Sequence, residues 1–294
     1  MVRTYKIHTN LDGSDNEIID LTDGKIRLYQ PSDLGIVTNT NIWSTQGLGV
    51  FGDTAISHPS MDFKLETFGD SLQENYNLMN DFVGLILTQK YVTLEYTSEQ
   101  GTYYADVKLA KVSKTEGYGQ SGTFSETISF DVINKWYTYE QLTFSKFKNA
   151  DFSNKTKIYT NSRYTYTDNT YLYTTEDNIE RFSKWKIEEN VFSFVARLTP
   201  SNSDVKKYGV RFLDEQANEY TSIIFNMANK PNYIQLNTDV NDEYYQTVTQ
   251  GVAVNMFSAL DFQKFRTRVF KKGTMELVNL DSVEMNIKRK VDFV

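Results

Sequence analysis

The sequence predicts an all-β protein carrying one main helix. Three observations lead there. Runs rich in Tyr, Thr, Val, Ile and Phe recur along the chain and are bounded by Gly, Asn and Asp, the composition of strands and their turns. Several of these runs alternate apolar with polar residues, as half-buried strands do. A single block, by contrast, carries an apolar stripe at helical spacing. The chain has 294 residues, 39% hydrophobic, with 20 Tyr and 19 Phe, which is ample for one large core or two ordinary ones. Only 4 Pro and 15 Gly argue against a disordered or fibrous chain.

The first third reads as strands joined by tight turns. Asp12-Gly13 and Asp23-Gly24 are two-residue hairpin signals, since a type I′ turn needs positive φ. Residues 18–21 and 26–29 flank the second of them. Gly47-Leu-Gly-Val-Phe-Gly52 matches the dinucleotide fingerprint, which works only between a strand and a helix whose N-terminus receives the pyrophosphate. Here Pro59 stops any following helix, so Gly47, Gly49 and Gly52 are expected in a flexible hairpin. The helix-like block runs from Met61 to Val83, with the helix itself expected at 71–88. Ser71 and Glu74 make a capping box, and Leu72, Tyr76, Met79, Phe82, Val83 and Ile86 form the stripe.

Beyond the helix, 91–96 is a β-rich run, Glu99-Gln-Gly101 a turn, 103–112 a second extended run and 116–122 a loop. Phe124, Ile128, Phe130 and Val132 alternate with polar residues. At about Asn149 the composition shifts to Thr, Tyr, Asn and Asp, and stays so until Asn178. An exposed β excursion is expected there, because Tyr and Thr favour strands. Tyr164 with Tyr166, and Tyr171 with Tyr173, would place paired aromatic anchors on one face of a ribbon, the chemistry of a partner-binding surface. Strand-like segments resume at 191–198, 209–213, 220–227 and 233–237. The stretch 257–272 fits a short helix or a strand. In the last segment Met285, Ile287, Arg289, Val291 and Phe293 share a face. The β character of both ends predicts one domain from 1–135 plus 275–294, with a second, 140–272, inserted between.

The formal net charge of −7 disfavours a general DNA-coating protein. No cysteine is present, which excludes disulfides, thiolate metal sites and Cys nucleophiles. No apolar run approaches the roughly 20 residues that span a bilayer, and the N-terminus lacks a secretion signal. The protein is therefore expected to be made and kept in the cytoplasm, unless lysis or another route releases it.

Chemical motifs are sparse. Asp239-Val-Asn241-Asp-Glu243 resembles the start of an EF-hand loop, but Tyr244 stands where glycine is required and Gln250 where a bidentate Glu belongs. A solvated turn is expected, a looser calcium site being the alternative. His8 and His58 are isolated, and no Ser-His-Asp set points to them. The 38 carboxylates single out no pair suited to glycoside hydrolysis. Lys288-Arg-Lys290 and the set Arg266, Arg268, Lys271 and Lys272 are basic but interleaved with apolar residues, so solvated or subunit-paired side chains are expected. Trp43, Trp136 and Trp185 invite a sugar-stacking reading, without a surrounding Asn, Arg and Glu cluster to form a galactose site.

Several stretches carry a family resemblance. They are Met1-Val-Arg-Thr-Tyr-Lys-Ile-His-Thr-Asn-Leu-Asp-Gly13, the block from Met61 to Val83 and Asn286-Ile-Lys-Arg-Lys-Val-Asp-Phe-Val294. Trp136-Tyr-Thr-Tyr139, Gly209-Val-Arg-Phe-Leu213 and Asn237-Thr-Asp-Val-Asn-Asp242 extend the set. Together they resemble the distal tail proteins (Dit) of lactococcal and streptococcal siphophages, most weakly between about Lys148 and Asn178. The resemblance implies two β-sandwich-type domains, the second galectin-like and bearing an extended arm around 149–178. It implies a structural baseplate hub and not an enzyme, with no cofactor. A homohexameric ring would join the tail tube protein to the tail-tip proteins and anchor the receptor-binding protein for host attachment. The hairpin holding Gly47, Gly49 and Gly52 would belt neighbouring subunits together. DNA would pass through the ring lumen without specific nucleic acid binding, and no membrane is involved. The protein would reside in the virion after assembly in the host cytoplasm. The alternatives are a carbohydrate-binding module contacting host cell-wall polysaccharide and a wall-degrading enzyme.

Overall fold

The computed structural model describes residues 3–13, 15–114, 125–145, 179–182, 191–201, 206–266 and 270–294. Strands dominate it, with one α-helix among the described residues. The chain divides into two compact units, Met1–Tyr139 with Lys290–Val294, and Glu140–Arg289.

The first unit is one antiparallel sheet wrapped around a core. Its strands are β1 (Thr4–His8), β2 (Ile18–Asp20), β3 (Ile26–Ser32), β6 (Met61–Thr67), β7 (Val92–Ser98), β8 (Gly101–Val112) and β9 (Ser125–Val132). They pair in the order β3-β6-β9-β8-β7-β1-β2. All of them face one apolar cluster that includes Ile7, Leu28, Phe63, Leu94, Val107 and Phe130. A sheet whose two ends share a core must curl. Helix α1 (Leu72–Thr88) adds Phe82 and Ile86 to that cluster. Its N-terminus is the expected capping box: Glu74 N donates to Ser71 Oγ at 3.1 Å, and Asp70 N to Glu74 Oε2 at 2.7 Å. Lys25 pairs with Glu74 outside it.

Several local expectations need correcting. The block from Met61 to Val83 is helical only from Leu72. Met61, Phe63, Leu65 and Thr67 alternate inward as β6, because their period is two and the flanking β3 and β9 are there to pair. Leu72 is exposed and Asn75 takes the buried position, its side-chain oxygen accepting from Gly69 N at 2.6 Å. Neither Asp12-Gly13 nor Asp23-Gly24 makes a two-residue hairpin. β1 and β2 are joined through a longer loop with His8 opposite Ile18, and β3 pairs with β6, not β2. Neither glycine takes the positive φ that a type I′ turn needs. The turn before Gly101 is as expected, with Ser98 opposite Gly101.

The second unit packs two sheets face to face. One runs β17 (Val252–Asn255), β16 (Tyr244–Thr249), β15 (Tyr233–Asn237), β12 (Val191–Pro200) and β19 (Leu280–Val291). The other runs β11 (Ile179–Phe182), β18 (Gly273–Val278), β13 (Lys207–Asp214) and β14 (Glu219–Asn226). Phe194 on β12 meets Phe212 on β13 across the gap, ring centroids 6.1 Å apart, and Phe270 packs on both. The ambiguous 257–272 stretch begins as a short 3-10 turn, Phe257–Ala259, makes one bridge from Leu260 to Phe225 and continues as turns to 266. The division between the units falls within β10 (Trp136–Ser145) and within β19.

Candidate functional site

The most exposed apolar feature of the first unit is a hairpin. Among the described residues β4 (Val37–Thr45) and β5 (Leu48–Ser57) pair only with each other. The turn is Gln46-Gly47, with φ of 48° and 83°, so Gly47 supplies the left-handed conformation a type I′ turn requires. Gly49 lies opposite Ser44, against Ile42. Gly52 sits where the register slips between Thr40 and Ile42, a bulge that puts an extra β5 residue opposite Asn41. A Cβ at Gly52 would lie 2.9 Å from the Asn41 carbonyl and 3.0 Å from the Trp43 ring, so the position admits no side chain without movement. The three glycines therefore share one ribbon, at its turn and along β5.

Both faces of that ribbon are apolar. Ile42 opposes Phe51 on one face, while Trp43 opposes Val50 and Thr45 opposes Leu48 on the other. Exposures are 67% for Ile42, 64% for Trp43, 71% for Leu48, 51% for Val50 and 73% for Phe51. Full burial of such a side chain stabilises by about 1.5–3 kcal/mol, so covering these five would yield roughly 5–10 kcal/mol. An isolated two-stranded ribbon is marginal in water. Thr40 and Thr54, bonded at 2.9 Å, and the His58 ring bonded through Nδ1 to the Gly35 carbonyl at 3.1 Å tie its base. The geometry is that of an arm shaped to be covered, and the sequence signal for it was the glycine spacing.

The other candidate residues resolve differently. Tyr164, Tyr166, Tyr171 and Tyr173, with Trp185 and Arg268, lie outside the described residues. His8 is buried on the sheet face opposite the core. Asn16 Nδ2 donates to its Nδ1 at 3.0 Å, which leaves Nε2–H to donate to Glu95 Oε2 at 2.8 Å. Lys6 reaches the other Glu95 oxygen at 3.2 Å. The His8 hydrogen bond, then Lys6, holds the Glu95 carboxyl below its usual range, and burial pushes the neighbouring Tyr104 phenol up to about 12. This cluster ties β1 to β7.

In the second unit the expected turn is solvated at Val240, Asp242 and Glu243, but Asp239 itself is buried. Asp239 Oδ2 pairs with Lys288 Nζ at 3.2 Å, and both side chains are almost fully enclosed. Asp239 Oδ1 accepts from Asn241 N at 3.0 Å. Of the basic run at 288–290, then, Lys288 is a core residue and Arg289 pairs with Glu140 at 2.5 Å. Among the described residues no group of three or more His, Asp or Glu side chains is arranged to hold a metal ion. Trp136 is fully enclosed in the first core, while Trp43 stands exposed on the hairpin. No described helix is long and apolar enough to cross a membrane.

Comparison with known proteins matches both units. The family model for the distal tail protein N-terminal domain covers residues 4–133, and that for the Dit C-terminal domain covers 135–294. The distal tail proteins of Lactococcus phages SK1 and p2 are each 52% identical to this chain, with the whole of both chains covered. A chain of the phage p2 baseplate, solved in its activated conformation with calcium, superposes with a TM-score of 0.83 at 49% identity over the full length of both. The SPP1 Dit protein shares the fold at 11% identity, with a TM-score of 0.57 over 99% of this chain. The chain belongs to the distal tail protein family.

Proposed function

We propose that this protein is a structural hub of a siphophage baseplate, not a catalyst. Its copies close into a hexameric ring at the distal end of the tail. The ring joins the tail tube to the tail-tip proteins and anchors the receptor-binding protein, in the virion, after assembly in the host cytoplasm. The first unit forms the ring, and its lumen passes DNA. The second unit is galectin-like, and the arm expected around 149–178 lies outside the described residues. Membership of the family and the full-length similarity to a p2 baseplate chain support the location.

One observation carries the ring reading: the β4–β5 ribbon exposes large apolar side chains on both faces and, among the described residues, pairs with no further strand. A neighbouring copy in a closed ring is a cover available to every ribbon, because a heterologous contact repeated to closure leaves no free end. The test is the solution mass of Trp43→Asp and Phe51→Asp chains, one variant for each face. Each is expected to lose the ring while keeping the fold, since neither side chain lies in a core. A ring that survives both substitutions would sink this reading.

A further inference from the structure

Among the described residues, the second unit has an open sheet edge that lacks the usual protection. β17 pairs with β16 and ends its sheet. The Gln250-Gly251 turn, with φ of 51° and 80°, makes a tight hairpin, and the register runs Thr249 to Val252, Thr247 to Val254 and, through Met256 N bonded to the Tyr245 carbonyl, onward. In a two-residue hairpin of this kind Val252, Val254 and Met256 direct their backbone groups at β16. Ala253 and Asn255 therefore direct theirs outward, with no strand beyond among the described residues.

Natural edges are guarded by charge, proline or a cover. Here residues 244–260 contain no Asp, Glu, Lys or Arg and no Pro, in a chain that is 23% charged. The edge is also apolar. Val252 is 63% exposed and Val254 52%, both on the face that carries Tyr245. Phe257 and Phe262 continue the patch, rings 5.3 Å apart and each about half exposed, with Tyr245 at 5.8 Å from Phe257.

We propose that β17 is a self-pairing edge, which joins two copies of this chain antiparallel about a two-fold axis through Val254. Three features select a second copy as the occupant. The patch is uncharged, so it meets its own image without repulsion. Antiparallel pairing of identical strands is isologous and closes on itself. The register centred on Val254 places Ala253 opposite the partner's Asn255, each pair exchanging both backbone hydrogen bonds through the groups that point outward. Val252 then packs on the partner's Met256, and the two Phe257-Phe262 pairs flank the joint. This contact is independent of the β4–β5 hairpins and adds to whatever ring they build.

The test is light scattering on the full chain. Ala253→Pro removes an outward N–H and leaves the β16 ladder intact, since proline is tolerated where an edge N–H faces away from its sheet. Val254→Lys places a charge at the joint and removes no hydrogen bond. Both variants are expected to have half the mass of the wild-type particle, with unchanged circular dichroism. Trp43→Asp is expected to abolish the ring while leaving a dimer, so failure of the hairpin reading and failure of this one are distinguishable. A wild-type mass that neither edge variant changes would overturn self-pairing. So would protection of the Ala253 and Asn255 amides from hydrogen exchange that appears only when other tail proteins are present.

Discussion

Replacing Lys288 by Met is expected to destabilise the second unit sharply. Lys288 and Asp239 are 1% and 3% exposed, their charged atoms are 3.2 Å apart, and they join β19 to the turn after β15. The substitution keeps the length and apolar stem of the side chain, so packing changes little. What remains is a carboxylate enclosed by protein, held on its other oxygen by Asn241 N. Breaking a buried pair in this way costs about 3–5 kcal/mol, most of it the desolvation of the orphaned charge. For a unit of this size a kcal/mol corresponds to about 2–4 °C, so the melting transition of the second unit should fall by roughly 10 °C. Differential scanning calorimetry resolves it, because two units need not melt together. The double substitution Lys288→Met with Asp239→Asn should recover most of the loss, since neither charge then remains. A Lys288→Met protein melting within about 2 °C of the parent would refute the reasoning, as would a double variant no more stable than the single.

Other outcomes follow from the same structure. The Glu95 carboxyl is held below its ordinary range by His8 and Lys6, so its contribution is present above the unfolded-state value and is lost as pH falls through the lower folded-state one. Urea unfolding of the parent and of Glu95→Gln should converge across that acid window, and parallel curves would contradict the assignment. Ser71→Ala removes the oxygen that Glu74 N uses and should cost about 1 kcal/mol of stability in the first unit, read by denaturant midpoint at constant slope. Gly52→Val forces a side chain against the Asn41 carbonyl and the Trp43 ring, so it should weaken assembly while leaving the melting of both cores unchanged. A Gly52→Val chain that assembles as the parent does would show that the bulge is not needed.

The parts of the fold legible in sequence were those decided by near neighbours. The capping box at Ser71 and Glu74 needs only one turn of chain, and the two-residue turn before Gly101 needs only its flanking strands. Asp12-Gly13 and Asp23-Gly24 carry equally strong local signals, yet β1 and β2 pair through a loop longer than two residues, and β3 takes β6 as its partner instead of β2. Met61 to Thr67 fits the helical block by proximity, and only the presence of β3 and β9 on either side settles its period. Lys288 looked like part of a solvated basic run because its partner is 49 residues away. At the candidate site the glycine spacing located the hairpin, whereas the exposure of both its faces depends on its having no third strand among the described residues, which no local pattern encodes. The β16–β17 hairpin was missed altogether, since Gln250-Gly251 lacks the Asn or Asp that usually announces such a turn.

The central claim is that apolar hairpins close copies of this chain into a ring. Negative-stain electron microscopy of the purified full-length protein tests it most directly. The account predicts end-on views of a closed hexameric ring with a central opening, and their disappearance in the Trp43→Asp and Phe51→Asp proteins. Fields of single protomers or open chains from the parent protein, or intact rings from both variants, would contradict it.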